Sequence, residues 1–111
     1  MTAPRRPRPA PPLAVAAGLV ADAWRGGRLR LAGAPEPVLT VAGLDRAQLA
    51  ALEVGVGRGR VEHHADGLTL TLAGRQVAAG LGRIWPHLPV GEGRALAAQL
   101  AAGGRGDRAA P

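Results

Sequence analysis

The segment GRVEHHADGLTLTLAG, residues 59–74, decides the fold of this chain because it predicts a β-hairpin. Its two arms alternate in polarity around Asp66 and Gly67, a dipeptide that supplies the positive φ angle of a two-residue turn. Side chains alternate between the faces of a strand, so the leucines of the second arm share one face and its threonines share the other. Pairing outward from this turn sets Ala65 against Leu68, His63 against Leu70 and Val61 against Leu72. We expect the leucine face to cover a core.

A hairpin of similar sequence precedes this one in the chain. GRLRL followed by VLTVAG (residues 27–43) resembles GRVEH followed by TLTLAG (residues 59–74), and each copy comes after a helical pattern. A hairpin with one apolar face has to bury that face, and two such units can do so together. We therefore predict a small α+β domain. It consists of two αββ units in one mixed sheet, followed by two short C-terminal helices.

The helices are predicted from apolar residues at helical spacing. The best signal lies in residues 44–53, where Asp45 and Gln48 have the spacing of a capping box. Such a pair satisfies two backbone N–H groups at the start of a helix, so the helix begins after Asp45. The other predicted helices span residues 13–24, 75–85 and 91–102.

The two ends of the chain differ in composition from the region between them. Residues 1–12 are rich in Pro and Arg, and we expect this tail and residues 103–111 to be disordered around one domain at residues 13–102. Basic residues, a short apolar run and the small residues 21–23 also resemble a secretory signal, which is the alternative for the N-terminus. No apolar run reaches the roughly 18 residues of a membrane span. We expect a cytoplasmic protein without membrane contact.

The composition limits the chemistry that the chain can perform. Cys and Ser are absent, which excludes disulfides, thiolate ligands and the two commonest nucleophiles. His63 and His64 are neighbours on a predicted strand, so they point to opposite faces and do not bind one metal ion together. We predict a non-enzymatic protein without a metal or another cofactor. The absence of Lys, Asn, Phe and Tyr indicates a GC-rich bacterial genome.

The charge of the chain favours a polyanionic partner. The net charge is +6, although residues 13–102 hold nine arginines against seven acidic residues and much of the excess lies in the tails. Arginine neutralises phosphates, so the first hypothesis is a small basic regulatory protein that binds DNA or RNA. The candidate contacts are Arg28, Arg30, Arg58, Arg60 and Arg75 in the domain and Arg5, Arg6 and Arg8 in the N-terminal tail.

The sequence around the predicted hairpin also fits a helix-turn-helix pattern. Residues 45–64 fit that pattern with Gly55 in the turn, and GLTLTLAGRQVAAGLGRIW (residues 67–85) resembles the wing strand and following helix of winged-helix repressors of the MarR type. The resemblance implies that Arg58 and Arg60 lie on a recognition helix and face phosphates and base edges. In the hairpin interpretation, these residues lead into a strand instead.

The second functional hypothesis is a protein-interaction or assembly module without a role in nucleic-acid binding. The helices are rich in Ala and the chain lacks Phe and Tyr, so little apolar area is buried per residue. We expect a homo-oligomer or another protein partner to bury additional apolar area. The candidate contacts are Leu81, Ile84 and Trp85. One contiguous face of arginines favours nucleic acid, whereas scattered arginines beside an exposed apolar patch favour a protein partner.

Overall fold

A computed structural model describes residues 11–109 of the chain and the side chains of residues 11–101. The described elements, in chain order, are α1 (Pro12–Arg25), β1 (Leu29–Ala32), β2 (Val38–Leu44), α2 (Arg46–Val56), β3 (Arg60–His64), β4 (Gly67–Ala73), α3 (Arg75–Ile84), a 3-10 turn (Trp85–His87) and α4 (Val90–Ala109). This is the predicted α+β domain, with two consecutive αββ units followed by α3 and α4.

The two hairpins join through their second strands. The strand order is β1-β2-β4-β3, and all three pairings are antiparallel. Thr40 lies opposite Thr71, and these residues occupy the same position in the two sequence repeats, so the units are related by an approximate twofold axis. A twofold axis between β2 and β4 makes these strands antiparallel. The described sheet is therefore antiparallel throughout, and the prediction of a mixed sheet is wrong.

The helices cover one face of the sheet. Leu39 and Val41 of β2 and Leu70 and Leu72 of β4 are buried on that face, where α1, α2 and α3 pack against the strands. Leu29 of β1 points to the same side, as the alternating burial of that strand shows. No described helix covers the opposite face, which is called the open face below; Arg30, Thr40 and Thr71 point toward it.

The second hairpin forms where the sequence predicts it, but its register differs. The turn residues are Ala65 and Asp66, and His63 lies opposite Leu68 rather than Leu70. A shift of two residues keeps every side chain on its predicted face. Gly67 begins β4 with φ +133° and lies against the backbone of Leu44, so contact with β2 holds it in the sheet instead of the turn. The recognition-helix alternative is wrong, because Arg60–His64 is a strand.

The capping box of α2 is present. The N–H of Gln48 donates to Asp45 Oδ1 at 2.7 Å, and the N–H of Asp45 donates to Gln48 Oε1 at 3.0 Å. The helix continues to Val56, beyond its predicted end at residue 53. Gly55 lies inside this extension and faces α1, where a Cβ atom would overlap the Cβ of Ala16. The two helices therefore approach each other closely through small residues.

The C-terminal part also differs in its boundaries. α3 ends at Ile84 and passes into the 3-10 turn, and α4 runs past the predicted end at residue 102 to Ala109. Arg25 at the end of α1 donates from Nη1 to Glu92 Oε1 at 2.7 Å, which ties α1 to the first turn of α4. The predicted disorder of residues 1–12 falls largely on residues 1–10, which lie outside the described part of the chain.

Gly55→Ala should lower the free energy of unfolding by about 1–3 kcal/mol, because α1 and α2 have to separate to admit the methyl group. Gly18→Ala is the matched control: Gly18 also lies within a helix, but an added Cβ there has open space around it. The control should raise the free energy of unfolding by about 0.5–1 kcal/mol. Urea unfolding followed by circular dichroism measures both, and equal effects of the two substitutions would contradict the close contact.

Candidate nucleic-acid interface

Three arginines converge where the end of α2 meets α3. They line an open cleft of about 340 Å³. The lining residues are Val56, Gly57, Arg58, Arg75, Gln76, Ala79 and Arg83. We call this the arginine cleft.

Backbone geometry and helical spacing position the cationic side chains of the arginine cleft. Arg75 and Arg83 are eight residues apart on α3 and lie on one side of it, as residues four and eight apart do. Gly57 ends α2 with φ +101° and turns the chain so that Arg58 follows on the other side of the cleft. Gln76 Nε2 donates to the carbonyl oxygen of Arg58 at 3.0 Å and holds this segment to α3.

Arg83 has a second contact that is structural. Its Nη2 donates to the carbonyl oxygen of Val56 at 3.2 Å. The last carbonyls of a helix lack intrahelical partners, so the guanidinium caps α2 while the rest of the group stays exposed to the cleft. Gly80 allows this arrangement, since a side chain at Gly80 would collide with Val56.

The arginine cleft carries three cationic side chains, and Glu53 lies beside Arg58 in an adjoining depression. Among residues 11–101, no carboxylate lies within ion-pair distance of Arg58, Arg75 or Arg83. The first turn of α3 carries no acidic residue and has no side-chain cap, but the carboxylate of Glu36 lies against Gly74, directly before this turn, and offsets the positive potential of the helix end. Arg25, unlike the three cleft arginines, is ion-paired within the described part of the chain. Hydrogen bonds to Glu92, then to Asp22, raise the pKa of its guanidinium above the ordinary value.

The remaining predicted arginines lie elsewhere, on or near the open face. Arg28 is half-buried and donates from Nη1 to the carbonyl oxygen of Ala42 at 3.1 Å, and Arg30 is exposed. Arg60 Nη2 lies 3.9 Å from Glu62 Oε2. Arg28 and Arg30 share a shallow depression with Glu62 and Asp66, so this surface carries both signs of charge.

The structure thus divides the five predicted domain arginines between two surfaces. Arg58 and Arg75 come together in the arginine cleft, whereas the other three do not join them. Arg5, Arg6 and Arg8 lie outside the described residues. Arg83 was not predicted as a site residue, although its spacing from Arg75 on a predicted helix indicates that the two lie on one side of that helix.

The predicted protein-contact residues are largely unavailable to a partner. Leu81 and Ile84 are 2% and 0% exposed, because the apolar stripe of α3 faces the core of its own chain. Their assignment to an interface is wrong. Trp85 is 38% exposed and lines a shallow groove of about 370 Å³ together with Leu88 and Val90.

Within the described part of the chain, no group of His, Asp or Glu side chains is arranged to hold a metal ion. None of the described helices has the length and apolar character needed to cross a membrane. Comparisons with protein-family models, with curated proteins and with solved structures find no significant match to this chain.

Arg83→Ala should lower the free energy of unfolding by about 1 kcal/mol, because it removes the donor that caps α2. Arg75→Ala should change it by less than about 0.5 kcal/mol, since Arg75 is an exposed residue at the start of α3. Thermal and urea unfolding of the two variants measure the difference. A destabilisation by Arg75→Ala as large as that by Arg83→Ala would contradict the assignment of the structural contact to Arg83.

Proposed function

We propose that the protein is a small, non-enzymatic regulatory protein that binds nucleic acid, with the arginine cleft contacting phosphates. The observation that supports this is the convergence of Arg58, Arg75 and Arg83 in one cleft without an ion-paired carboxylate among the described residues. Like charges placed together repel one another, and a bound anion removes that cost. We also expect the protein to act in the cytoplasm, where its ligand is available.

Phosphate fits this cleft better than a carboxylate side chain does. A guanidinium donates two parallel hydrogen bonds to a phosphate, and several guanidinium groups can share its oxygens. Successive phosphates of a nucleic acid add further contacts along the same strand.

Binding should show little preference for base sequence. Contacts to phosphate position a protein on nucleic acid, whereas base edges carry the sequence information. The arginine cleft lies between the end of α2 and one side of α3, where its arginines would contact the nucleic-acid backbone. The binding energy should then come mainly from the release of counterions, and it should fall steeply with salt.

The test is binding of labelled duplex DNA and single-stranded RNA to the full chain, followed by fluorescence anisotropy over a series of salt concentrations. The double variant Arg58→Gln/Arg75→Gln should weaken binding by about tenfold at low salt and reduce the salt slope by about 2, one for each lost phosphate contact. Both substitutions leave the cap of α2 intact because they spare Arg83.

Arg46→Gln is the matched control for this experiment. Arg46 is exposed in the first turn of α2, at the end of that helix remote from the arginine cleft, and its replacement removes one positive charge, as each of the two cleft substitutions does. It should leave the salt slope close to that of the wild type. If the double variant binds no more weakly than Arg46→Gln, the arginine cleft is not the site.

The N-terminal tail forms a separate part of the proposal. Arg5, Arg6 and Arg8 should add phosphate contacts, so replacing all three by Gln should flatten the salt slope further, independently of the cleft. Additive slopes in a combined variant would assign both regions to one ligand. An unchanged slope in the tail variant would assign binding to the folded part alone.

An assembly module remains the second candidate, because of the apolar surface around Trp85. Val90 is 70% exposed beside the 38% exposed Trp85, and a groove with such rims suits an apolar side chain of a partner protein. If the wild-type chain binds neither DNA nor RNA at low salt, this candidate replaces the first. Quenching of tryptophan fluorescence by a partner, kept in Trp24→Phe and lost in Trp85→Phe, would then report on the groove.

A further inference from the structure

β3 is an edge strand that no described element covers. All five of its residues are exposed, on both faces of the sheet, and among the described elements it is hydrogen-bonded only to β4. The other edge strand, β1, differs because α4 packs against it. An uncovered edge presents unpaired N–H and C=O groups that can bind a further strand.

The hairpin turn determines which backbone groups of β3 are free. A two-residue turn makes its flanking residues, His64 and Gly67, a hydrogen-bonded pair. Hydrogen-bonded and non-bonded pairs alternate along an antiparallel ladder. Val61 and His63 therefore point their N–H and C=O groups away from β4, toward the free edge. A second strand would bind through these residues.

The side chains of β3 are self-complementary in one antiparallel register. Centring the pairing on Val61 places Arg60 of each chain opposite Glu62 of the other, on the open face. Centring it on Glu62 instead would oppose two carboxylates, which is unfavourable for directly facing residues. Both registers match the free backbone groups, so the charges decide between them.

We propose that the protein forms a homodimer in which β3 of one chain pairs antiparallel with β3 of a second copy, centred on Val61. The two four-stranded sheets become one sheet of eight strands. The Val61 side chains meet on the helix side, where each is 36% exposed in the single chain and no described helix stands in the way. The dimer does not depend on the arginine cleft or on nucleic acid.

The first experiment uses Val61→Pro in nuclease-treated full-length protein. Proline removes the N–H of Val61, which the single chain does not use, and is tolerated on edge strands. Sedimentation equilibrium from about 1 µM to about 1 mM should show a wild-type monomer–dimer equilibrium, and the variant should weaken the dimer by about tenfold or more. Val61→Thr keeps the N–H and is the control; circular dichroism checks that both variants fold.

The second experiment tests the register. Arg60→Glu and Glu62→Arg should each weaken the homodimer by about tenfold, because both cross-strand pairs become repulsive. Mixing these two variants should give a heterodimer, since one chain then carries two acidic and the other two basic edge side chains. The double variant Arg60→Glu/Glu62→Arg should restore the homodimer.

Three results would overturn the proposal or its register. A wild-type chain that remains monomeric over the whole concentration series overturns the proposal, and so does a folded Val61→Pro variant that dimerises as well as the wild type. Dimerisation that Arg60→Glu leaves unchanged overturns the register centred on Val61. Because no nucleic acid is present, none of these results depends on the proposed function.

Discussion

The contact between Gly55 of α2 and Ala16 of α1 is the constraint on which the rest of the structure depends. The chain has no Phe or Tyr, so its helices gain apolar contact by approaching closely instead of by inserting large side chains. Gly80 repeats this solution between α3 and the end of α2, at Val56. The positions of Arg75 and Arg83 beside Arg58 follow from these two contacts. The arginine cleft is thus a consequence of how small residues pack.

Local signals predicted much of the fold. The capping box at Asp45, the alternation in the second hairpin and the repeat of 27–43 in 59–74 each describe short-range interactions, and all three are present in the structure. The register of the hairpin could not be predicted in this way. It depends on the contact of Gly67 with the backbone of Leu44, which exists only after β2 and β4 have paired.

The candidate site was predictable only in part, for a related reason. The sequence shows which residues are cationic, but their grouping depends on how the elements pack, so Arg58 and Arg75 could not be separated from Arg28 and Arg30. The wrong assignment of Leu81 as an interface residue has another cause. An apolar stripe on a helix looks the same whether it faces the core or a partner, and in α3 it faces the core.

The two edge strands differ in what covers them, and this difference limits how many chains can join one sheet. α4 packs against β1, and a side chain at Gly33 would collide with the backbone of Leu100. A sheet with two open edges can add strands at both ends without limit, which is the route to fibres. With a helix against one edge, strand addition closes after a single partner. In the proposed homodimer, the C-terminal helix at the other edge then limits the assembly to two chains.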